Sequence, residues 1–225
     1  MNIRTAVIMA AGRGIRMMPL TELIPKAMAP LLNTTLIAHG IKSIKNYVPQ
    51  IYITVGYKGA QLAQHAIEHG VSGILNTEGK GNAWWIFNTL VQYLNEPIFV
   101  LTCDNVVQLD FEMLAQEYDA FDRPPCMVVP VVPISGYEGD YIFHKNNRVT
   151  ELSREHKSDM YCSGIQVVNP GWIASNLEEY ENFNEIWIQL IQKRKLFCSN
   201  LYPKKWYAVD TVQQLTEIRK KWDKE

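Results

Sequence analysis

The residues best placed to do chemistry begin where the first apolar run stops. The stretch Ala10-Ala11-Gly12-Arg13-Gly14-Ile15-Arg16 is followed by Pro19-Leu20-Thr21 and then Pro25-Lys26. Glycines after a buried strand let backbone N–H groups approach a phosphate with no Cβ in the way. Arg16 and Lys26 add two cations, so the chemistry suggested is binding of a phosphorylated ligand. The alternative is an ordinary strand-to-helix turn with solvated cations. A dinucleotide fingerprint would need glycine at Met17, and a P-loop would need Gly-Lys-Ser/Thr there; neither is present. Two aspartates invite attention. Asp104 directly follows a strand pattern, where an Asx turn is common, and Asp210 precedes a helix pattern, where it could be an N-cap. His65-Ala66-Ile67-Glu68-His69 fits the inverted zinc-protease pattern H-x-x-E-H. However, Leu62, Ala63, Ala66 and Ile67 define the apolar face, and Gly70 ends the helix, so solvated histidines are expected and zinc is not.

The elements that must position these groups alternate. Thr5–Met9, 51–55 and 97–103 read as strands, the first and last buried on both faces. Helical spacing covers 35–47 through Leu36, Ile37, Ile41 and Ile44, with Val48 continuing the stripe; 61–69 and 82–94 are also expected as helices. Asp110 is expected to cap a helix running through Tyr118. This β-α-β rhythm predicts an α/β fold with a Rossmann-like, mostly parallel sheet flanked by helices. The second half is less regular: a strand at 127–132, a hairpin over 141–152 turning at Asn146-Asn147, a strand at 161–168, a helix at 183–193, a strand at 206–209 and a last helix at 212–222. It reads as an appended α+β portion. With no linker or repeat, 1–225 is expected to be one domain, with a nucleotide-binding half at 1–125 and an acceptor-binding and closing half at 126–225.

Composition excludes several classes. The chain has 225 residues, 47% hydrophobic and 20% charged, with a formal net charge of -1. That is ordinary globular composition, and the charge balance disfavours a nucleic-acid or membrane-surface partner. Cys103, Cys126, Cys162 and Cys198 form no C-x-x-C and sit among apolar residues, so four free buried thiols are expected. The opening apolar run breaks at Gly12 and Arg13, and the run from Cys126 to Ile134 is too short to span a bilayer. A cytoplasmic location is expected.

The spacing Gly12-x-Gly14-x-Arg16-x-x-Pro19-Leu20-Thr21-x-x-x-Pro25-Lys26 resembles the N-terminal signature of the sugar-phosphate nucleotidylyltransferases, a family that includes the phosphocholine cytidylyltransferases. Later segments are similar in the same order: Leu101-Thr102-Cys103-Asp104-Asn105, Cys162-Ser163-Gly164-Ile165 and Trp206-Tyr207-Ala208-Val209-Asp210-Thr211. The resemblance implies attack by an acceptor phosphate oxygen on the α-phosphorus of an NTP, with pyrophosphate leaving. The nucleophile is already an anion, so charge neutralisation and positioning carry the catalysis. By resemblance, Asp104 and Asp210 hold Mg²⁺, Arg16 faces the leaving pyrophosphate, and Lys26 lies between donor and acceptor phosphates. Ala10, Ala11, Gly12 and Gly14, with Asn76, Gly81 and Asn82, would bind the nucleotide; Glu155, Ser163 and Gly164 would bind the acceptor. Two features depart from the pattern. Trp84-Trp85 replaces small residues at the start of the helix over the base, and Asp210-Thr211 lacks the glycine of the usual D-x-G-T, as in the phosphocholine enzymes. The implied product is an NDP-sugar for surface polysaccharide, made by a monomer or homodimer. The alternatives are a cytidylyltransferase acting on phosphocholine or another small phosphorylated alcohol or amine, and an inactive nucleotide-sugar-binding module.

Overall fold

A computed structural model of the chain describes residues 3–178 and 181–222. Strand β1 (Thr5–Met9) runs into the glycine loop, the single-turn α1 (Leu20–Leu23) and a small hairpin of β2 (Pro30–Leu31) and β3 (Thr34–Thr35). Then come α2 (Leu36–Ile44), β4 (Gln50–Val55), α3 (Gly59–Glu68), β5 (Gly73–Asn76), α4 (Trp84–Phe87), β6 (Ile98–Thr102), β7 (Asn105–Gln108) and α5 (Phe111–Ala120). The second half adds β8 (Cys126–Val131), β9 (Tyr141–Lys145), β10 (Arg148–Ser153), β11 (Tyr161–Val168), α6 (Pro170–Asn176), α7 (Phe183–Gln192), β12 (Leu196–Cys198), β13 (Lys205–Ala208) and α8 (Val212–Trp222).

Nine strands form one sheet in the order β5-β4-β1-β6-β11-β8-β12-β10-β9. The first four are parallel, which is the Rossmann-like part expected from the alternating pattern. Strand β11 enters antiparallel between β6 and β8, and β12 returns parallel to β8. The boundary expected at 125/126 therefore falls just before β8, inside one continuous sheet. Every residue of β1 is buried, because strands lie on both sides of it and apolar clusters cover both its faces. A third cluster, including Met17, Leu36, Val106, Val209 and Leu215, packs α8 beneath the glycine loop.

Local signals account for many boundaries. Thr35 caps α2 by accepting from the Ala38 N–H, and the predicted stripe Leu36, Ile37, Ile41 and Ile44 is buried. Asp110 caps α5 by accepting from the Met113 N–H. Asn146 and Asn147 both take left-handed backbone at the hairpin tip, which asparagine tolerates. Cys103, Cys126 and Cys198 are buried free thiols, while Cys162 is half-buried.

Three expectations are corrected. The helix expected over 82–94 is broken into α4 and a 3-10 turn at Leu90–Tyr93. Thr89 takes extended backbone, its hydroxyl accepts from the Val91 N–H, and it donates to the Trp85 carbonyl. Its side chain thus offers the backbone an alternative to continuing the helix. In α3 only Leu62 and Ala66 are buried; Ile67, expected inside, is 62% exposed. Both histidines of the H-x-x-E-H stretch are half-buried rather than solvated. His65 Nε2 meets the Thr35 hydroxyl at 2.9 Å, and burial, reinforced by His69, lowers its pKa. It thus ties α3 to the start of α2.

Candidate active site

Sheet register assembles the site. Met9 lies beside Thr102 at the carboxyl ends of β1 and β6, so the glycine loop and Asp104 emerge side by side. Asp210 arrives from the far end of the chain. Strand β13 pairs antiparallel with β7, Ala208 lies opposite Asn105, and the Val209 N–H donates to the Asp104 carbonyl at 2.9 Å. The backbone of one aspartate segment is thereby fastened to that of the other.

The glycine loop is held from several directions. The Ala10 N–H donates to the Thr54 hydroxyl, and the Ala11 carbonyl accepts from the Tyr57 N–H. Gly14 has φ 65°, and a Cβ there would stand 2.6 Å from the Cβ of Lys26. Glycine is thus required both by conformation and by the stem of the lysine that follows in space. The Thr21 hydroxyl donates to the Gly14 carbonyl, and the Tyr57 hydroxyl donates to the Thr21 carbonyl. Buried Met17 anchors Arg16 to the cluster under α8. Around Gly12 there is open space.

Four charges converge at the mouth of this loop. The Lys26 ammonium donates to Asp104 Oδ2 at 2.5 Å and to Asp210 Oδ1 at 2.7 Å. Arg16 Nη2 reaches the same Asp210 oxygen at 2.9 Å, and its Nη1 stands 3.7 Å from Glu138. The lysine side chain is only 12% exposed, against 22% for Asp104 and 18% for Asp210. Burial alone would lower the ammonium pKa, but Asp104 foremost, with Asp210 adding, holds it above the ordinary value. Burial alone would raise the Asp104 pKa, yet the Lys26 charge and hydrogen bonds from Lys26 and Thr102 hold it below the ordinary value. Neighbouring Cys103 is a neutral thiol, pushed up to about 12 by burial and then by Asp104.

Asp210 does not cap α8. Its N–H and that of Thr211 donate to Gln214 Oε1, while the Thr211 hydroxyl accepts from the Gln214 N–H. This is a Thr-x-x-Gln capping box one residue later, and it leaves the Asp210 carboxylate to the cleft. The sequence carried that signal at 211–214.

Two carboxylates whose oxygens already share one cation suit Mg²⁺. That ion typically takes one or two protein carboxylates and completes its shell from water and substrate phosphates. Among the described residues no group of three or more His, Cys, Asp or Glu is placed to hold a metal without such help.

The cleft beside these charges encloses about 390 Å³ and is lined by Gly12, Gly14, Arg16, Lys26, Asp104 and Asp210 among others. Asn82 and Trp85 also line it. The Trp85 indole donates to the Lys80 carbonyl, and the Lys80 ammonium lies 5.3 Å from the centre of the Trp84 ring. Gly81 is packed under Glu181, whose carboxylate accepts from the Gly81 N–H at 2.6 Å. Asn76, at the end of β5, is exposed; it accepts from the Glu78 N–H and does not line this cleft. Ser163 is 2% exposed, with its hydroxyl accepting from the Ile165 N–H and its carbonyl accepting from Asn105 and Trp206. Gly164, at φ 81°, lines a smaller recess next to the cleft; a Cβ there would press on Asn105 and Thr102. Glu155 is exposed in the bend after β10, its N–H bonded to the Ser153 hydroxyl, and lines neither cavity. Rings of Tyr137, Tyr141, Tyr161 and Trp206 pack on one another instead of lining the cleft.

Residues 6–160 match the MobA-like NTP transferase domain. The mannose-1-phosphate guanylyltransferase catalytic subunit beta of Drosophila melanogaster is 23% identical over 214 residues, which is 89% of this chain and 58% of that one. The chain spans 14% to 60% of the length of several curated relatives that it matches. Among solved structures, a putative glucose-1-phosphate thymidylyltransferase from Bacillus anthracis superposes with a TM-score of 0.81 at 18% identity, over 97% of this chain and 94% of that one. The CTP:phosphocholine cytidylyltransferase of Streptococcus pneumoniae does so at 0.78 and 19%, over 99% and 100%.

Proposed function

The chain belongs to the MobA-like NTP transferase family, and from that premise we propose that it transfers a nucleoside monophosphate from an NTP to a sugar 1-phosphate, releasing pyrophosphate. The observation that carries this reading is the convergence of Lys26, Arg16, Asp104 and Asp210 beside an open glycine loop. A reaction between two polyanions needs charge neutralisation more than it needs a base or a protein nucleophile. Glycine-loop N–H groups and Arg16 bind and orient the triphosphate. Lys26 turns from the carboxylates toward the phosphates and offsets charge where acceptor and donor meet. Asp104 and Asp210 would hold Mg²⁺, which supplies Lewis-acid neutralisation of the phosphate oxygens when bound. Trp85 and Asn82 complete the lining of the cleft beside these charges.

The similarity to a mannose-1-phosphate guanylyltransferase and a putative glucose-1-phosphate thymidylyltransferase, both named for sugar-phosphate acceptors, supports the reading. The product would be an NDP-sugar that feeds surface polysaccharide. Among the described residues no helix is long and apolar enough to cross a membrane, and use of an NTP as substrate supports a cytoplasmic location. The test is a pyrophosphate-release assay crossing four NTPs with hexose 1-phosphates, phosphocholine and other phosphorylated alcohols, with and without Mg²⁺. Turnover of a sugar 1-phosphate is expected. Turnover of phosphocholine alone would move the chain to the cytidylyltransferase alternative, and no release with any pair would make it a binding module.

A further inference from the structure

Behind the cleft lies a recess of about 80 Å³ that shares Met9, Asn82 and Thr102 with it. No charged side chain lines the recess. Its most buried polar side chain is Gln166, which is 3% exposed and sits mid-sheet between Val100 of β6 and Val128 of β8. An amide on a face otherwise covered by an apolar cluster is costly to bury unless its groups are satisfied.

Only half of that amide is satisfied. Gln166 Oε1 accepts from the Trp187 indole N–H at 3.1 Å and from the Cys126 thiol at 3.2 Å. Exchanging its oxygen and nitrogen would set N–H against N–H at Trp187, so the network decides the orientation. Asn82 is arranged the same way: its Oδ1 accepts from the Phe183 N–H at 2.9 Å. Phe183 and Trp187 are four residues apart on α7, so one helix turn orients both amides. Among the described residues, neither amide nitrogen meets a protein acceptor. Both residues line the recess, which therefore offers N–H donors from two amides in a neutral, mostly apolar enclosure.

Resting on the nucleotidyl-transfer reading, we infer that this recess selects the acceptor by one substituent, and that the substituent carries a neutral carbonyl oxygen, as in an acylamino group. A cavity of this size holds about the volume of a few waters, which is a substituent and not a sugar ring. The ring and its phosphate belong in the larger cleft. A carbonyl oxygen has two lone pairs and no proton, so it accepts from these amides without setting another donor against them. An ammonium group would set donors against donors and find no carboxylate. Asn82 and Gln166 are thus specificity-determining residues, and Trp187 is a positioning residue that acts through Gln166.

The test compares N-acetylglucosamine 1-phosphate, glucose 1-phosphate and glucosamine 1-phosphate, each with Mg²⁺ and the NTP that the protein uses best. Pyrophosphate release is measured, together with calorimetric binding of each sugar phosphate. The wild-type protein should favour the acylamino compound over the amino compound by at least about tenfold, the scale of one or two hydrogen bonds. Gln166→Glu keeps the shape and replaces a donor with a carboxylate, so it should shift selectivity toward glucosamine 1-phosphate. Asn82→Asp, on the half-buried cleft wall, should do the same and serves if the Gln166 variant fails to fold. A wild-type preference for the amine, or an order unchanged in both variants, overturns the inference while leaving nucleotidyl transfer standing. Absence of release and of binding with all three compounds also overturns the inference, whereas only failure of every NTP and acceptor pair in the wider panel removes the functional reading itself.

Discussion

Replacing Lys26 with methionine keeps most of the stem and removes the ammonium that now lies between Asp104 and Asp210. The structure sets the size of the effect. The ammonium makes two charge-assisted hydrogen bonds, at 2.5 and 2.7 Å, from a side chain only 12% exposed. Such bonds contribute about 1.5–3 kcal/mol each. A divalent cation that enters between the carboxylates must displace both, and part of that cost returns as the ammonium meets water or phosphate. A net competition of about 1.5–3 kcal/mol means that free Mn²⁺, without nucleotide, should bind Lys26→Met about 10- to 100-fold more tightly than wild type. Two carboxylates left beside each other should also lower stability. Both are about one-fifth exposed, so we expect about 1–3 kcal/mol and not the larger loss of a fully buried broken pair. Saturating Mn²⁺ should restore much of it, raising Tm more in the variant than in wild type. Turnover should fall at least about a hundredfold, because metal alone does not replace the cation between the two phosphates. Calorimetry or Mn²⁺ electron paramagnetic resonance without nucleotide reads the binding directly. If Lys26→Met binds Mn²⁺ no better than wild type, the ammonium does not stand at the cation position and the reasoning fails.

Asp104→Asn and Asp210→Asn should each lower kcat by at least about a hundredfold, since several kcal/mol of charge stabilisation is lost; near wild-type turnover at saturating Mg²⁺ would remove that residue from the assignment. Gly14→Ala should shift the Lys26 stem, because its Cβ would stand 2.6 Å from that of Lys26 at φ 65°, and a chemical melt should show a loss of about 1–3 kcal/mol. His156 should titrate above its usual 6.5 because its ring is hydrogen-bonded to Glu151 and attracted by it. Its raised pKa favours folding most at pH below 6.5, with the contribution lost as pH rises through the folded pKa; an NMR titration should show the shift, and Glu151→Gln should remove most of it, Glu155 adding the remainder. Cys103 and Cys198 are both pushed up to about 12, burial being the main cause, so neither should react with a thiol reagent at pH 8 until the protein unfolds; rapid labelling of either in the native state would contradict this.

Short-range features of the chain were legible because their causes are short-range. Buried β1, the capped start of α5 and the Asn146-Asn147 turn each follow from residues within a few positions of one another. The Thr211 and Gln214 capping box was equally local, and reading it would have shown that Asp210 is not the helix cap. Thr89 was the opposite case: an apolar pattern favoured a continuous helix over 82–94, and one hydroxyl bonding to nearby backbone broke it.

The sequence by itself determined that a glycine loop carrying Arg16 follows a doubly buried strand, that Lys26 follows at a set distance, and that one aspartate ends the strand pattern of β6. Tertiary structure alone decided that the Lys26 ammonium joins Asp104 to Asp210, because β7–β13 pairing brings together segments from the middle and the end of the chain. It alone decided that Phe183 and Trp187 turn the amides of Asn82 and Gln166 into one recess. The physical reason is that burial and capping leave a period or a neighbour in the sequence. Meetings between charges and the facing of an amide depend on strand register and helix docking, which set which distant side chains share a few ångströms and leave no period to read.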